Sequence, residues 1–127
     1  MEYEINLEFD DYYFPRTERW ILDTFHLDTF EAVLYQMILN KEYVLWTYEW
    51  IGRIMGASES TIKRIINKMV KMEILYRVPV HINGGCRIRN ILITAYTRDG
   101  KRSPQEVNNF IAKGRTKIKI EYEGNKR

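Results

Sequence analysis

Hydrophobic spacing divides the chain into segments. Residues 2–9 alternate, with Tyr3, Ile5, Leu7 and Phe9 set against Glu2, Glu4, Asn6 and Glu8. Period two predicts a strand with one wet face. Residues 10–27 are aromatic-rich, irregular and broken by Pro15. The rings Tyr12, Tyr13, Phe14 and Trp20 in this stretch read as a small satellite core or a docking surface, and their size favours burial. From Asp28 the period becomes helical. Phe30, Val33, Leu34, Met37 and Ile38 form one stripe, Asp28 is placed to cap it, and Glu31 completes a capping box. That helix should end near Asn40-Lys41. Val44-Leu45-Trp46 reads as a short strand. Thr47 then caps a short helix carrying Trp50, Ile51, Ile54 and Met55, and Gly56 stops it. Ser58 caps a third helix with Ile62, Ile65, Ile66 and Met69 on its inner side.

After this the period returns to two. Val78, Val80 and Ile82 alternate with Arg77, Pro79 and His81, and Asn83-Gly84-Gly85 signals a turn. Cys86 to Tyr96 is apolar again, which predicts a β-hairpin. A three-residue turn would pair Ile82 with Cys86, Val80 with Ile88, His81 with Arg87 and Pro79 with Arg89. Pro79 argues that its strand lies at an edge. Ser103-Pro104-Gln105-Glu106 is a helix start, Val107, Phe110 and Ile111 give that helix a buried side, and Gly114 is expected to end it. Residues 117–123 alternate once more, with Ile118, Ile120 and Tyr122 on one side, predicting a basic terminal strand.

Charge sharpens this picture. The 127 residues carry a formal net charge of +3, but residues 1–50 hold 11 acidic and 3 basic side chains, whereas residues 77–127 hold 4 and 12. A segregated positive half suits a polyanion, nucleic acid before membrane. The two halves could equally neutralise each other within the fold. The length suits one domain with a real core. No apolar run reaches the ~20 residues of a membrane helix, and the acidic Met1-Glu2-Tyr3-Glu4 lacks the layout of a secretory signal. One cysteine, Cys86, cannot form an intramolecular disulfide and points to a reducing cytoplasm. With only His26 and His81 beside it, no zinc spacing arises. There is no phosphate-cradling loop and no nucleophile elbow, so neither an enzyme nor a cofactor nor a small-molecule ligand is expected.

Two short helices joined at a glycine and followed by a hairpin form a definite combination. Ile51 and Met55 face inward, Gly52 permits a close crossing, Gly56 turns the chain, Ala57 fills the corner, and Ser58 starts the next helix with Ile62 and Ile65 inside. These residues resemble the helix-turn-helix of DNA-binding proteins. The run from Gly56 to Arg64 resembles the turn and recognition helix of many prokaryotic repressors and replication proteins. The basic hairpin resembles the wing of winged-helix domains, and Arg87-Ile88-Arg89-Asn90-Ile91-Leu92 is similar to the last wing strand of phage and plasmid replication-type members. The resemblance covers residues 28–96. It implies an α+β winged helix, a three-helix helix-turn-helix core plus a β-hairpin wing. Residues 1–27 are then an acidic, aromatic extension, and residues 97–127 a C-terminal extension of helix and basic strand.

The implied partner is double-stranded DNA, bound by a transcriptional regulator or by a replication or mobile-element accessory protein. On the recognition helix, Ser60, Arg64, Asn67 and Lys71 lie opposite the isoleucine stripe. Ser60, Lys63, Arg64 and Asn67 are candidates for base readout, with Arg and Lys suiting guanine and Asn suiting adenine. Ser58 and Thr61 suit phosphate at the helix start, and Lys68 and Lys71 lie near phosphates. Glu59 is unfavourable beside phosphate. In the wing, His81, Asn83, Arg87 and Arg89 project from one end toward phosphates or a minor groove. Alternatively, wing charges protect an exposed strand edge, and some winged helices bind only proteins. A protein-interaction module is therefore the competing reading. The acidic strand at 2–9 and the basic one at 117–123 could pair within a chain or between two chains of a homodimer.

Overall fold

A computed structural model of the chain describes residues 16–82 and 87–125. The expected strand at 2–9, the rings at 12–14, and the tip residues Asn83, Gly84, Gly85 and Cys86 lie outside them. The elements are α1 (Arg19–Phe25), α2 (Thr29–Leu39), α3 (Tyr48–Met55), α4 (Glu59–Lys71), β1 (Leu75–His81), β2 (Ile88–Thr94), β3 (Tyr96–Thr97), β4 (Gly100–Lys101) and α5 (Pro104–Asn125). This is an α+β winged-helix arrangement, with α2, α3 and α4 as the helical core and β1–β2 as the hairpin.

The caps form where the sequence places them. Asp28 Oδ1 accepts from the Glu31 amide at 2.8 Å, and Glu31 Oε1 accepts from the Asp28 amide at 3.1 Å. Thr47 and Ser58 cap α3 and α4 in the same way. Between α2 and α3 the expected short strand shrinks to one antiparallel bridge, Val44 to Leu92 on the outer edge of β2. Among the described residues the β1 strand, which carries Pro79, has β2 alone as its ladder partner.

The irregular stretch before Leu27 contains a helix that the pattern did not predict. α1 presents one fully buried residue, Ile21, too few for a periodic signal. Its start has no side-chain cap of its own. Instead the Glu18 amide donates to Gln36 Oε1 at 3.0 Å, and the Glu18 carboxylate accepts from Arg98, from Gln36 and from the Trp20 indole. The Arg98 bond, and then the Gln36 bond, holds the Glu18 carboxyl below its usual range. Trp20 packs edge-on to Phe25, with ring centroids 5.8 Å apart, at the border of the main core.

The hairpin register differs from expectation by one residue. Val80 faces Arg89, His81 faces Ile88, Val78 faces Ile91 and Tyr76 faces Ile93. A last backbone bond joins the Ile82 amide to the Arg87 carbonyl at 3.0 Å, in place of the expected pairing of His81 with Arg87. The cause lies at the base of the hairpin, because both faces of β2 are buried. Leu92, with Leu75, packs into the helical core, while Ile91 and Ile93 pack against α5 with Tyr76, Val78, Val80 and Ile82. The expected register would have opposed Val78 to Asn90 and Arg77 to Ile91. A slip of one residue exchanges the two faces, so the two cores at the base outweigh the match at the tip.

The second correction concerns α5. Gly114 does not end the helix, and residues 117–123 are helical rather than extended. Val107, Phe110, Ile111, Gly114, Ile118 and Tyr122 continue one helical stripe. Ile118 is 3% exposed and Ile120 is 64% exposed, so the 3.6 period prevails over the two-residue alternation. Gly114 is a point of contact, since a Cβ there would lie 2.8 Å from Ile91 Cδ1. The terminal-strand pairing expected from charge therefore has no C-terminal strand to use.

Tyr35 is fully buried and donates its hydroxyl to the Ile74 carbonyl at 2.9 Å. Burial raises its phenol well above the usual tyrosine range. A folded pKa above the unfolded value of about 10 gives stability that is present below pH ~10 and is lost as pH rises toward the folded pKa. Urea melts at pH 9 and pH 11 should show the wild-type chain losing more stability across that interval than Tyr35→Phe. Equal losses would contradict it.

Candidate nucleic-acid interface

The interface begins with a steric requirement. Gly52 of α3 lies against the turn leading into α4, and a Cβ at this position would stand 2.5 Å from the Ala57 carbonyl oxygen. Gly56 caps α3 with φ +71°, a backbone region in which a Cβ is strained. Together these residues let α4 cross α3 closely. Ile51, Ile62 and Ile66 then have no exposed surface, and Ile65 and Met69 are buried beside them.

With that face inside, the opposite face of α4 points outward. Ser60, Lys63, Arg64, Asn67 and Lys71 are all exposed. Among the described residues, Lys63, Arg64 and Lys71 make no hydrogen bond or ion pair. At the helix start, Ser58 Oγ accepts from the Thr61 amide at 3.1 Å, and its single proton goes to Thr61 Oγ1 at 2.8 Å. Ser60 Oγ lies 3.2 Å from Ser58 Oγ. With that proton committed, Ser60 donates to Ser58 Oγ, so of these three hydroxyls that of Thr61 remains as a donor near the positive end of the helix dipole.

The flanks of α4 differ. Lys68 Nζ lies 2.8 Å from Glu31 Oε2, and the Glu31 side chain is only 6% exposed. Glu31 thus closes the capping box with one oxygen and holds α4 with the other. On the opposite flank Asn67 Oδ1 accepts from Arg77 of β1, which also donates to Tyr48 Oη at 2.9 Å. Sequence reasoning missed Arg77. Its alternation with Val78 was visible, but nothing local indicated that it would span α3 and α4.

The wing candidates separate. His81 is exposed on the face that carries Arg77 and Pro79. Arg87 and Arg89 lie on the other face, toward α5, as a consequence of the observed register. Arg89 donates to the Leu45 carbonyl at 3.0 Å and to Glu121 at 3.2 Å. Ser58, Ser60, Thr61, Lys63, Arg64, Asn67 and Lys71 thus share one helix surface, with Lys68 tied at its edge. Arg87 and Arg89 share the face toward α5 while His81 lies on the other face, and Asn83 lies outside the described residues. Among the described residues no group of His, Cys, Asp and Glu is arranged to hold a metal ion, and no helix is long and apolar enough to cross a membrane.

No family model and no curated protein matches the chain. Among solved structures it is similar to a protein described as a possible transcriptional regulator from Methanosarcina mazei Go1. The likeness covers 84% of this chain and 81% of that one, at 18% identity and a TM-score of 0.46. So distant a likeness says nothing of what this chain binds.

Four substitutions test this geometry by thermal or urea melts. Gly52→Ala should destabilise by about 1–3 kcal/mol through overpacking, although alanine favours a helix by about 1 kcal/mol. An unchanged melt would contradict the close crossing. Lys68→Met should cost about 1–3 kcal/mol by leaving the Glu31 carboxylate without its cation. Lys63→Met and Arg64→Met, on the open face, should stay within about 0.5 kcal/mol of wild type. Equal effects at all three positions would contradict the distinction.

Proposed function

We propose that the protein binds double-stranded DNA by placing the outer face of α4 in the major groove. The observation that carries this reading is the exposed row of Lys63, Arg64 and Lys71, without a side-chain partner among the described residues, beside Asn67 on a helix whose other face is fixed by the Gly52 crossing. Thirteen residues make a rod about 20 Å long, and a major groove about 12 Å wide admits one helix. Lys63 and Arg64, in the first half of the helix, suit base acceptors such as guanine O6 and N7. Thr61 suits a phosphate oxygen near the helix start, Ser60 keeps an acceptor for a base-edge donor, and Lys71 suits a phosphate further along. The hairpin rises beside α4 with His81 exposed on the near face. Arg89 serves the fold, and Arg87 faces the α5 side, so neither belongs to the central surface. Glu59 in the first turn favours the helix dipole and disfavours a phosphate on its own side of the helix.

Fluorescence anisotropy with duplex DNA across a salt series tests the reading. Affinity should fall with salt, and Lys71→Ala should reduce the log–log slope by about one unit. Arg64→Ala should relax preference at one base pair at a cost of about 1–3 kcal/mol. Absence of duplex binding at low salt would overturn the reading and leave a protein-interaction module in its place.

A further inference from the structure

The contact between Arg77 and Asn67 fixes what Asn67 can recognise. A guanidinium carries five N–H donors and no acceptor, so the amide it meets must present its oxygen. Arg77 donates to Asn67 Oδ1 and, at 2.9 Å, to Tyr48 Oη. Chemistry alone therefore orients the amide, with Oδ1 toward β1 and the Nδ2 donors on the other branch. Asn67 is exposed on the same side of α4 as Ser60, Arg64 and Lys71. Reading the major-groove edge of adenine takes both ends of an amide, with Oδ1 accepting from N6 and Nδ2 donating to N7. Here a cation of the wing engages one lone pair of Oδ1 and holds that oxygen toward β1, away from an N6 donor.

We propose that Arg77 is a positioning residue that presents Asn67 as a donor, so that Asn67 meets an acceptor on the duplex and does not read adenine. This rests on α4 being the DNA-reading helix, and it replaces the adenine preference expected from the residue type. The acceptor is guanine N7 or O6, thymine O4, or a phosphate oxygen. A base acceptor makes Asn67 a specificity residue, whereas a phosphate makes it an anchor.

The test selects duplexes from a random pool with the full chain. Anisotropy on the selected duplex then compares wild type, Asn67→Ala, Arg77→Met, their double variant and Tyr48→Phe. Asn67→Ala and Arg77→Met should each weaken binding by roughly 3- to 10-fold. The double variant should be no weaker than either alone, because both remove the same oriented donor. Tyr48→Phe removes the other acceptor of Arg77 and should bind as wild type, which separates positioning of Asn67 from general support of the fold. Preference relaxed by Asn67→Ala at a guanine or thymine identifies a base acceptor, and a uniform loss across sequences identifies phosphate; both support the proposal. An adenine at the relaxed position, losses that multiply in the double variant, or wild-type binding by Arg77→Met would overturn it. Asn67 is exposed, so its alanine variant reports even if Arg77→Met fails to fold. If wild type enriches no sequence and binds no duplex, the α4 reading falls as well. Failure of the Arg77 role alone would leave enrichment intact.

Discussion

The close approach of α3 to the turn before α4 is the constraint on which the rest depends. Only a residue without a side chain fits at position 52, where the Ala57 carbonyl would stand 2.5 Å from a Cβ. That approach sets the crossing, and the crossing closes the core around Ile51, Ile62, Ile66 and Met69. It also fixes the direction of the polar face of α4. Two polar clamps then hold the helix from either side, Glu31 on Lys68 and Arg77 on Asn67. The apolar burial supplies most of the energy and sets which side of α4 faces inward, while the clamps tie its two flanks. A polar contact between exposed side chains is worth little by itself, but Glu31 is buried and needs its cation.

At its base the hairpin is buried on both faces, and this accounts for the C-terminal third of the chain. Leu75 and Leu92 face the helix-turn-helix, while Ile91 and Ile93 face α5. A two-stranded ribbon alone is marginal in water, so the helices on both sides let it stand. Gly114 brings α5 close enough for Ile91 to fill the space a side chain would have taken. Four further cations, Lys113, Arg115, Lys117 and Lys119, lie on the exposed surface of α5, while Arg98 and Arg102 are engaged within the fold. The charge segregation visible in the sequence is therefore spread over more than one surface, and only part of it belongs to α4.

Elements with local signatures were legible in the sequence. The capping box at Asp28, the caps at Thr47 and Ser58, the stop at Gly56 and the start at Ser103 each act within one turn of helix. Features that depend on distant partners were not legible. α1 begins through Gln36 and Arg98, which are 18 and 80 residues from Glu18. The hairpin register is set by which strand face meets α5, and that meeting is invisible in the strands themselves. Gly114 carries the ordinary signal of a helix stop but performs a packing role. In the candidate interface, the outer row of α4 follows from helical period alone. The engagement of Lys68, Arg77 and Arg89 follows from tertiary contacts, so residue type alone assigned Lys68 and Arg89 to the surface and overlooked Arg77.

The central claim is that the outer side of α4 meets duplex DNA while its inner side is held by the core. Titrating isotopically labelled protein with duplex at low salt, and following backbone and side-chain amide resonances by NMR, tests it most directly. The account predicts perturbations concentrated from Ser58 to Lys71, including the Asn67 side-chain amide, with small changes along α5. Perturbations centred on Lys113, Lys117 and Lys119, with α4 silent, would contradict it.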